Sequence, residues 1–399
     1  MLVAVTAIVL GFLALPVGAA SGYLLLLALL SRRGAPPPPV EPRVRFDVVV
    51  PAHDEEQGIA ATVGSLLAVD YPRELRRVIV VADNCSDATA ERARGAGATV
   101  LERRDSLRRG KGYALEYAFA SCLAERRADA VVVVDADTDV SANLLRAFAA
   151  RLEAGAPAIQ AYYGVRNPYA SWRTRLMAIA LALFHLVRSL GRERLRCSAG
   201  LRGNGMCFTV GVLEEVPHEA FSIVEDLEYG IRLGLAGHRV HFAAEARVLG
   251  DMAVGANAAS VQRSRWEGGR FQMAKQFGIP VLRQGLRSGD RVLVDLGLDL
   301  LVPPFAYLAA SAVAGTAASL GASWLAGSLL WPVWPWAASL AALVLYLIRG
   351  WWLSGTGIRG LLGLAGAPVY LAWKVALLIG SRKNERQAWV RTPRDGGTG

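Results

Sequence analysis

The sequence predicts an α/β domain with a mostly parallel sheet, flanked by transmembrane helices. Apolar β-branched runs alternate with helical stretches from Val44 to about Gly278, which is the pattern of a parallel sheet covered by helices on both faces. Long apolar segments lie at both ends of the chain, and acidic residues follow the predicted strands. Such sheets bind ligands at the carboxyl ends of their strands, so we expect a site at that edge.

The amino-terminal segment, residues 1–30, predicts a retained transmembrane helix. It is nearly uncharged, whereas a secretory signal peptide has a basic start and an apolar stretch of only roughly 7 to 15 residues. Arg32 and Arg33 follow at once, so the positive-inside rule predicts a multi-pass cell-membrane protein with its main domain in the cytoplasm. Residues 31–43 contain GAPPPPVEPR, which is typical of a stiff proline-rich linker.

Residues 44–280 form the predicted main domain, in which polar side chains follow the strands. After the runs RFDVVV, RVIVVA and VVVV these are His53, Asp54, Glu55, Glu56, Asp83, Asn84, Asp87, Asp135, Asp137 and Asp139. Three acidic clusters thus converge on one sheet edge, where carboxylate oxygens suit Mg²⁺ or Mn²⁺ carrying a phosphate. Taken alone, Asp87 also fits a helix cap and Asp139 a solvated turn.

A basic group for that phosphate is available in LRRGKGYAL, where Lys111 lies between two glycines. This is not a Walker A loop, because the spacing differs and no Ser or Thr follows the lysine. GAGATV precedes a strand instead of following one, so the dinucleotide fingerprint fails as well. An ATPase and a dehydrogenase are therefore disfavoured. The net charge of +10 includes no basic run interleaved with aromatic residues, which argues against a nucleic-acid partner.

Two further motifs lie beyond these strands. SIVEDLEYGIRL places Glu225 and Asp226 at the start of a predicted helix, a position where acidic residues also simply favour the helix dipole. VQRSRWEGGR places Gln262, Arg265 and Trp266 on neighbouring turns, and an amphipathic helix at a membrane surface gives the same pattern. Each motif alone is therefore ambiguous.

In this order, the motifs resemble the membrane-integrated family 2 glycosyltransferases, the group that includes cellulose, hyaluronan and poly-N-acetylglucosamine synthases. The matching runs are VVVPAHDEE, VADNCSDAT, RRGKGYAL, DADTD, GNGMCF, ED and QRSRW. The resemblance implies a GT-A fold for residues 44–280, a nucleotide-diphosphate sugar donor, Mg²⁺ or Mn²⁺, and transfer with inversion at the anomeric carbon. UDP-glucose or UDP-N-acetylglucosamine is the expected donor, in polysaccharide or glycan biosynthesis at the cell envelope.

The resemblance also implies a role for each matching residue. Asp226 would be the catalytic base, and Asp137 the metal ligand. The residues implied to bind the nucleotide sugar are Pro51, Ala52, Glu55, Asp83, Lys111 and Asp135. Those implied to line the acceptor or diphosphate site are Asn204, Gly205, Glu225, Gln262, Arg265 and Trp266.

The region 281–380 predicts two or three further membrane or interfacial helices. The candidate segments are residues 292–320, 331–348 and 361–380. In the first of them, Asp295 and Asp299 would lie at the membrane interface. The basic tail, residues 381–399, predicts a cytoplasmic terminus. Three full spans would put that tail outside, so either the third segment is re-entrant or interfacial, or the number of spans is miscounted by one.

The segment 171–194 has an apolar middle of only about a dozen residues with Arg at both ends, which is too short to span a bilayer. We expect it to lie in the surface of the inner leaflet, with an ordinary core helix as the alternative.

The small number of predicted spans does not decide whether the product is a polymer or an acceptor carrying one sugar. A polymer channel needs more helices, so a synthase of this size would need a homo-oligomer or an export partner. An enzyme that adds one sugar to a lipid or polyprenol acceptor carries similar motifs and is the alternative. A sugar nucleotidyltransferase would need neither the QxxRW motif nor the spans. A transporter or scaffold without catalysis would have no need of Asp137 and Asp226, yet both are present.

Overall fold

The computed structural model describes residues 2–364 and 366, with residues 2 and 256–263 described as backbone only. The predicted segment 361–380 lies mostly outside these residues, and the tail 381–399 lies wholly outside them. The strands are β1 (Phe46–Ala52), β2 (Arg76–Asp83), β3 (Thr99–Arg103), β4 (Ala130–Val133), β5 (Thr138–Val140), β6 (Ala158–Val165), β7 (Met206–Thr209) and β8 (Val240–Gly250). The helices are α1 (Leu2–Leu30), α2 (Ile59–Leu67), α3 (Thr89–Gly95), α4 (Lys111–Glu125), α5 (Leu144–Glu153), α6 (Trp172–Leu181), α7 (Arg188–Arg194), α8 (Val210–Glu215), α9 (Glu225–Leu235), α10 (Ala256–Met273), α11 (Ile279–Ser288), α12 (Arg291–Leu301), α13 (Phe305–Leu325), α14 (Val333–Ser354) and α15 (Gly357–Leu364).

The strands form one mixed sheet in the order β3-β2-β1-β4-β7-β6-β8-β5. The first four strands in this order are parallel, as are β6 and β8, whereas β7 is antiparallel to β4 and β6, and β5 to β8. Four of the seven neighbouring pairs are parallel and three are antiparallel, so the sheet is mixed where a mostly parallel one was predicted. β7 reverses because the chain enters it at the edge where β4 ends: the Gly205 N–H donates to the Val133 carbonyl at 2.9 Å.

Two apolar layers cover the central strands. Val48 and Val50 of β1 pack with α2 and α5 on one face, whereas Val49 packs with α4 and α9 on the other. Burial on both faces explains why these strands are continuous valine runs in place of alternating patterns. The polar groups are consequently confined to the strand ends, where the site is expected.

Four helices of the described chain are long and apolar enough to cross a membrane: Val3–Leu30, Trp172–Arg194, Phe305–Leu325 and Val333–Ser354. The first and the last pack together, with the Trp336 indole N–H donating to the Leu10 carbonyl at 3.0 Å. The predicted single span over residues 292–320 is wrong. Pro303 and Pro304 separate α12 from α13, because proline cannot supply the N–H that a continuing helix needs.

The segment Trp172–Arg194 is an interior element, and the expectation of a membrane-surface helix is wrong. Of its most apolar window, 72% is buried inside the structure. It consists of α6, a π-helical stretch and α7, and it packs between the sheet and the helices α1 and α14. Gly191 permits the close approach to α1, since a Cβ there would lie 2.7 Å from the Leu27 carbonyl oxygen.

A buried group of charges joins these elements, and we call it the junction cluster. Its members are Arg188, Arg192, Arg202, Arg270, Asp295 and Asp299. Arg192 Nε lies 2.6 Å from Asp295 and Arg188 Nη1 lies 2.9 Å from Asp299, so the two aspartates predicted at a membrane interface are buried and paired with arginines. Tyr23 of α1 donates to Asp295 at 2.9 Å. The cluster therefore ties the sheet domain to the apolar helices.

Candidate active site

The loops that follow β1 and β2 hold each other at the carboxyl edge of the sheet. Pro51 and Ala52 end β1, and the Glu55 N–H beyond them donates to Thr89 Oγ1 at 2.7 Å. The Asp54 carboxylate accepts the Ser86 N–H at 2.7 Å. The nucleotide-binding backbone expected at Pro51 and Ala52 is thus fixed by hydrogen bonds between loops.

Asp83 is the last residue of β2, and its carboxylate forms an ion pair with Arg103. Arg103 Nη1 donates to its carboxylate at 2.7 Å, and both side chains are almost completely buried. The same Arg103 nitrogen donates to the Arg108 carbonyl at 2.8 Å, which fixes the chain leading into α4. Asp83 thereby links the strand edge to the segment that carries Lys111.

Lys111 is the basic centre of the site. Its Nζ lies 2.5 Å from Asp135 Oδ1, 2.6 Å from the Gly203 carbonyl oxygen and 3.6 Å from Glu225 Oε1. Burial lowers the pKa of this ammonium, but the neighbouring carboxylates of Asp135 and Glu225 outweigh it and raise the pKa above its ordinary value. Gly112 is required beside it, because a Cβ there would lie 2.2 Å from the Ala220 carbonyl oxygen.

The GNG run supports the loop that follows β4. Asn204 Oδ1 accepts the Asp135 N–H at 3.2 Å, and Asn204 Nδ2 donates to Thr138 Oγ1 at 2.8 Å. Asn204 is fully buried, and Gly205 has a φ of +70° with Val248 2.8 Å from where its Cβ would be. The structure therefore places Asn204 and Gly205 directly beside the loop that carries Asp135.

Glu225 and Asp226 begin α9 as predicted. A Cβ at Gly203 would lie 3.5 Å from both Asp226 Oδ2 and Lys111 Nζ, so the ED carboxylates and the lysine meet across this glycine. Burial raises the pKa of Glu225 to about 7, against the attraction of Lys111. Burial likewise raises the pKa of Asp226. Carboxylates whose pKa values are raised towards neutrality are suited to proton transfer at physiological pH.

Tyr163 of β6 is a site residue that the sequence did not single out. Burial raises its pKa well above the ordinary value, and the negative charges of Asp135 and Asp137 raise it further. His185 stacks on its ring with centroids 5.2 Å apart. No motif marks this tyrosine, because strand pairing alone brings it to the DAD loop.

The donor atoms after β4 fit a hard divalent cation. The charges of Asp135 and Asp137 both act on Tyr163, whereas Asp139 is paired with Arg166 at 3.0 Å. Carboxylate oxygens of this kind, with a substrate diphosphate completing the coordination, are the ligands that Mg²⁺ and Mn²⁺ prefer.

A second group of donor atoms, on Asp54, Cys85 and Asp87, lies within 4.8 Å of one another. Asp54 accepts from Ser86, and Asp87 accepts from the Thr89 N–H at the start of α3. Burial raises the pKa of the Cys85 thiol, which opposes the deprotonation that metal ligation requires. The DAD loop therefore suits the cation better than this group does.

The helix that carries the QRSRW run packs beside the ED motif. A Cβ at Gly269 would lie 2.6 Å from Val224, directly before Glu225. Arg265 and Trp266 are half-buried on this helix, and the side chain of Gln262 lies outside the described residues. An open groove of about 600 Å³ adjoins it. Its lining residues are Arg108, Tyr113, Glu116, Glu219, Phe221, Ser222, Glu228, Arg232, Gln272, Met273 and Gln276.

Residues 42–269, more than half of the chain, match the family described as glycosyltransferase like family 2. The chain belongs to this family. It is 25% identical over 207 residues to the probable glycosyltransferase YdaM of Bacillus subtilis, covering 50% of this chain and 48% of that protein. It is 28% identical over 241 residues to the beta-monoglucosyldiacylglycerol synthase of Synechocystis, covering 58% and 49%. The chain thus spans about half the length of these two relatives.

Among solved structures, the mannosyltransferase PcManGT from Pyrobaculum calidifontis, in complex with GDP-Man and Mn²⁺, resembles the chain with a TM-score of 0.54. The identity is 20%, over 88% of this chain and 99% of that one. This likeness confirms the predicted GT-A type of fold. The family match confirms the expectation of a glycosyltransferase, but these similarities do not single out the cellulose and hyaluronan synthase group.

Proposed function

We propose that the protein is an inverting glycosyltransferase that moves one hexose from a nucleotide-diphosphate sugar to a hydroxyl or phosphate oxygen of a membrane lipid. One observation carries the proposal: the DAD loop, Lys111 and the ED carboxylates gather around Gly203, with Lys111 Nζ 2.5 Å from Asp135 and 3.6 Å from Glu225. The donor phosphates need a positive group and the acceptor nucleophile needs a carboxylate that takes its proton. This arrangement places the two kinds of group side by side.

The donor is proposed to lie along the carboxyl edge of β1, β2 and β4. The backbone at Pro51 and Ala52, with Glu55 and Asp83, would hold the nucleotide, and Lys111 would stabilise the diphosphate. Asp137, supported by Asp135, would hold Mg²⁺ or Mn²⁺. When bound, the cation would neutralise charge on the departing diphosphate. Arg265 would contribute positive charge as well, and pre-positioned charges of this kind are often the largest contribution to catalysis.

Asp226 is proposed to take the proton from the acceptor. As the acceptor oxygen bonds to the anomeric carbon, the bond from that carbon to the diphosphate oxygen breaks on the opposite face, which inverts the configuration. A positioned carboxylate contributes about 10²- to 10⁴-fold to such a step. Trp266 would offer its ring face to a sugar. The neighbouring Glu225 would act on the pKa of Asp226 through its own negative charge.

A lipid acceptor agrees with the membrane helices and with one relative. Of the four apolar helices, Trp172–Arg194 is mostly buried, which leaves three candidate spans in the described part of the chain. That number is small for a polymer channel, and the Synechocystis relative is named a glycolipid synthase. We therefore propose a cell-membrane enzyme with its catalytic domain on the cytoplasmic side, where Arg32 and Arg33 follow α1.

The test is product analysis with the purified full-length chain in detergent micelles. UDP-glucose, UDP-N-acetylglucosamine and GDP-mannose are supplied with Mg²⁺ or Mn²⁺ and with diacylglycerol or polyprenyl phosphate. Release of nucleoside diphosphate with one labelled sugar per lipid would support the proposal. A labelled polymer would favour the synthase alternative, and release of pyrophosphate would point to a nucleotidyltransferase.

A further inference from the structure

We propose that the junction cluster binds the phosphate group of an anionic membrane lipid and thereby selects a phosphate-bearing acceptor. The inference rests on the proposed function, because it names the class of lipid that the transferase would use. The binding groups are the guanidinium groups of Arg192, Arg202 and Arg270, which line the interior next to the ED motif.

The junction cluster has an excess of positive charge. The junction cluster contains four arginines and two aspartates, and each side chain is at least nine-tenths buried or close to it. When the adjacent Asp226 is counted as well, the four guanidinium groups of the cluster still outnumber these three carboxylates, all of them among the described residues. A buried charge without a partner is costly, so a bound anion would complete the cluster. Burial and the neighbouring arginines lower the pKa of Arg202 to about 9, in line with this excess.

Three guanidinium groups of the cluster have hydrogen-bond donors that are not used. Arg192 Nη2, Arg202 Nε and Arg270 Nη1 are buried and have no hydrogen-bond partner among the described residues. Buried polar groups in proteins are nearly always satisfied. Guanidinium groups bind tetrahedral oxyanions through paired N–H donors. Three such groups with spare donors match a phosphate better than a carboxylate, because a phosphate offers more oxygen acceptors.

The three guanidinium groups lie close to one another. Arg202 and Arg270 both contact the ring of Phe184, with Cζ atoms 4.1 Å and 5.1 Å from its centroid. A Cβ at Gly200 would lie 3.3 Å from Arg192 Nη1 and 3.5 Å from Arg202 Nη2. The three guanidinium groups therefore surround one small region. Arg202 directly precedes Gly203 in the chain, so this region borders the catalytic carboxylates.

The position of the cluster favours a lipid phosphate over a free one. Tyr23 of α1 contacts Asp295, and Tyr346 of α14 contacts Arg188 at 3.2 Å. Both helices are candidate membrane spans. The cluster thus lies where the apolar helices meet the catalytic domain.

The test compares two lipids that differ only by a phosphate. The full-length chain in dodecyl maltoside, a detergent without phosphate, is titrated with dioleoyl phosphatidic acid or with dioleoyl glycerol, and its Tm is recorded. Inorganic phosphate forms a third arm. We expect phosphatidic acid to raise the Tm at lower concentration than phosphate does, and dioleoyl glycerol to have little effect.

The variants Arg202→Gln and Arg270→Gln should weaken the response to phosphatidic acid about tenfold or more, since each removes a charged hydrogen-bond donor. Arg270→Lys keeps the charge, loses the paired donors, and should be intermediate. Arg283→Gln, on the exposed face of α11, is the matched control and should respond like the unmodified chain. Without lipid, Arg202→Gln should be as stable as the unmodified chain or more so, because Arg202 forms no ion pair with a carboxylate among the described residues. Arg270→Gln loses the ion pair with Asp299 and should be less stable.

Equal responses to the two lipids would overturn the inference, and so would a phosphatidic acid response that survives both glutamine variants. A response to inorganic phosphate as strong as that to phosphatidic acid would mean a small-anion site and would overturn the lipid assignment. Transfer assays on the same preparation separate the two proposals. Transfer without preference for a phosphate-bearing lipid would refute this inference alone, whereas arginine-dependent lipid binding without any transfer would refute the proposed function alone.

Discussion

Replacing Asp299 by Asn should destabilise the protein strongly, because this carboxylate is the main counter-charge of the junction cluster. It lies 2.9 Å from Arg188, 3.6 Å from Arg192 and 3.4 Å from Arg270, and its side chain is only 4% exposed. These three arginines hold the pKa of Asp299 well below its usual range, in spite of its burial. The amide is the same size but carries no charge, so the variant isolates electrostatics from packing.

The magnitude follows from the burial of the partners. Removing one member of a buried ion pair costs about 3–5 kcal/mol of the free energy of unfolding, because the remaining charge stays uncompensated. Here Asp295 would be the one carboxylate left for the cluster's four guanidinium groups. We therefore place the cost in that range, equivalent to a fall in Tm of about 5 °C or more.

Thermal unfolding of the full-length chain in detergent measures this effect, with Asp70→Asn as the matched control. Asp70 forms a two-bond pair with Arg146 at 2.7 Å and 3.1 Å, but it lies at the surface, where ion pairs contribute little. The control should unfold almost like the unmodified chain. If Asp299→Asn and Asp70→Asn shift the Tm equally, the burial argument is refuted.

Three further predictions concern the catalytic site. Asp137→Asn should raise the Mn²⁺ concentration needed for half-maximal nucleotide-diphosphate binding at least about tenfold, as measured by calorimetry; an unchanged metal requirement would remove Asp137 from the metal site. Lys111→Met should raise the donor KM and, by removing a positive neighbour, raise the pKa of Asp226; an unchanged KM would contradict its contact with the diphosphate. Burial raises the pKa of Asp226 above its ordinary value, so the acid limb of kcat/KM should lie at a higher pH than an ordinary aspartate would give, because a protonated Asp226 accepts no proton. Glu225→Gln removes the like charge and should move this acid limb to lower pH; a limb that stays in place would contradict the coupling.

The parts of the site that depend on strand ends could be predicted from the sequence. Four consecutive valines before Asp135 require burial on both faces, and an aspartate directly after them must lie at the sheet edge. The same argument placed Asp83 after β2. Glu225 and Asp226 were predictable at a helix start, because the apolar spacing of α9 begins there.

The parts that depend on long-range pairing could not be predicted. Tyr163 reaches the DAD loop only through the pairing of β6, and nothing near it in the sequence indicates a site. The ion pairs of Asp295 and Asp299 could not be predicted because their partners lie about a hundred residues away, on α7. The reversal of β7 likewise depends on where the GNG loop enters the sheet.

The measurement that tests the account most directly compares Asp226→Asn with Asp139→Asn in the sugar-transfer assay. Both variants exchange one carboxylate for an amide, but Asp139 is paired with Arg166 away from the site. The account predicts that Asp226→Asn loses about 10²-fold or more of kcat, with nucleotide-diphosphate binding retained, and that Asp139→Asn stays within about twofold of the unmodified chain. Equal activity in the two variants would contradict the assignment of the proton acceptor.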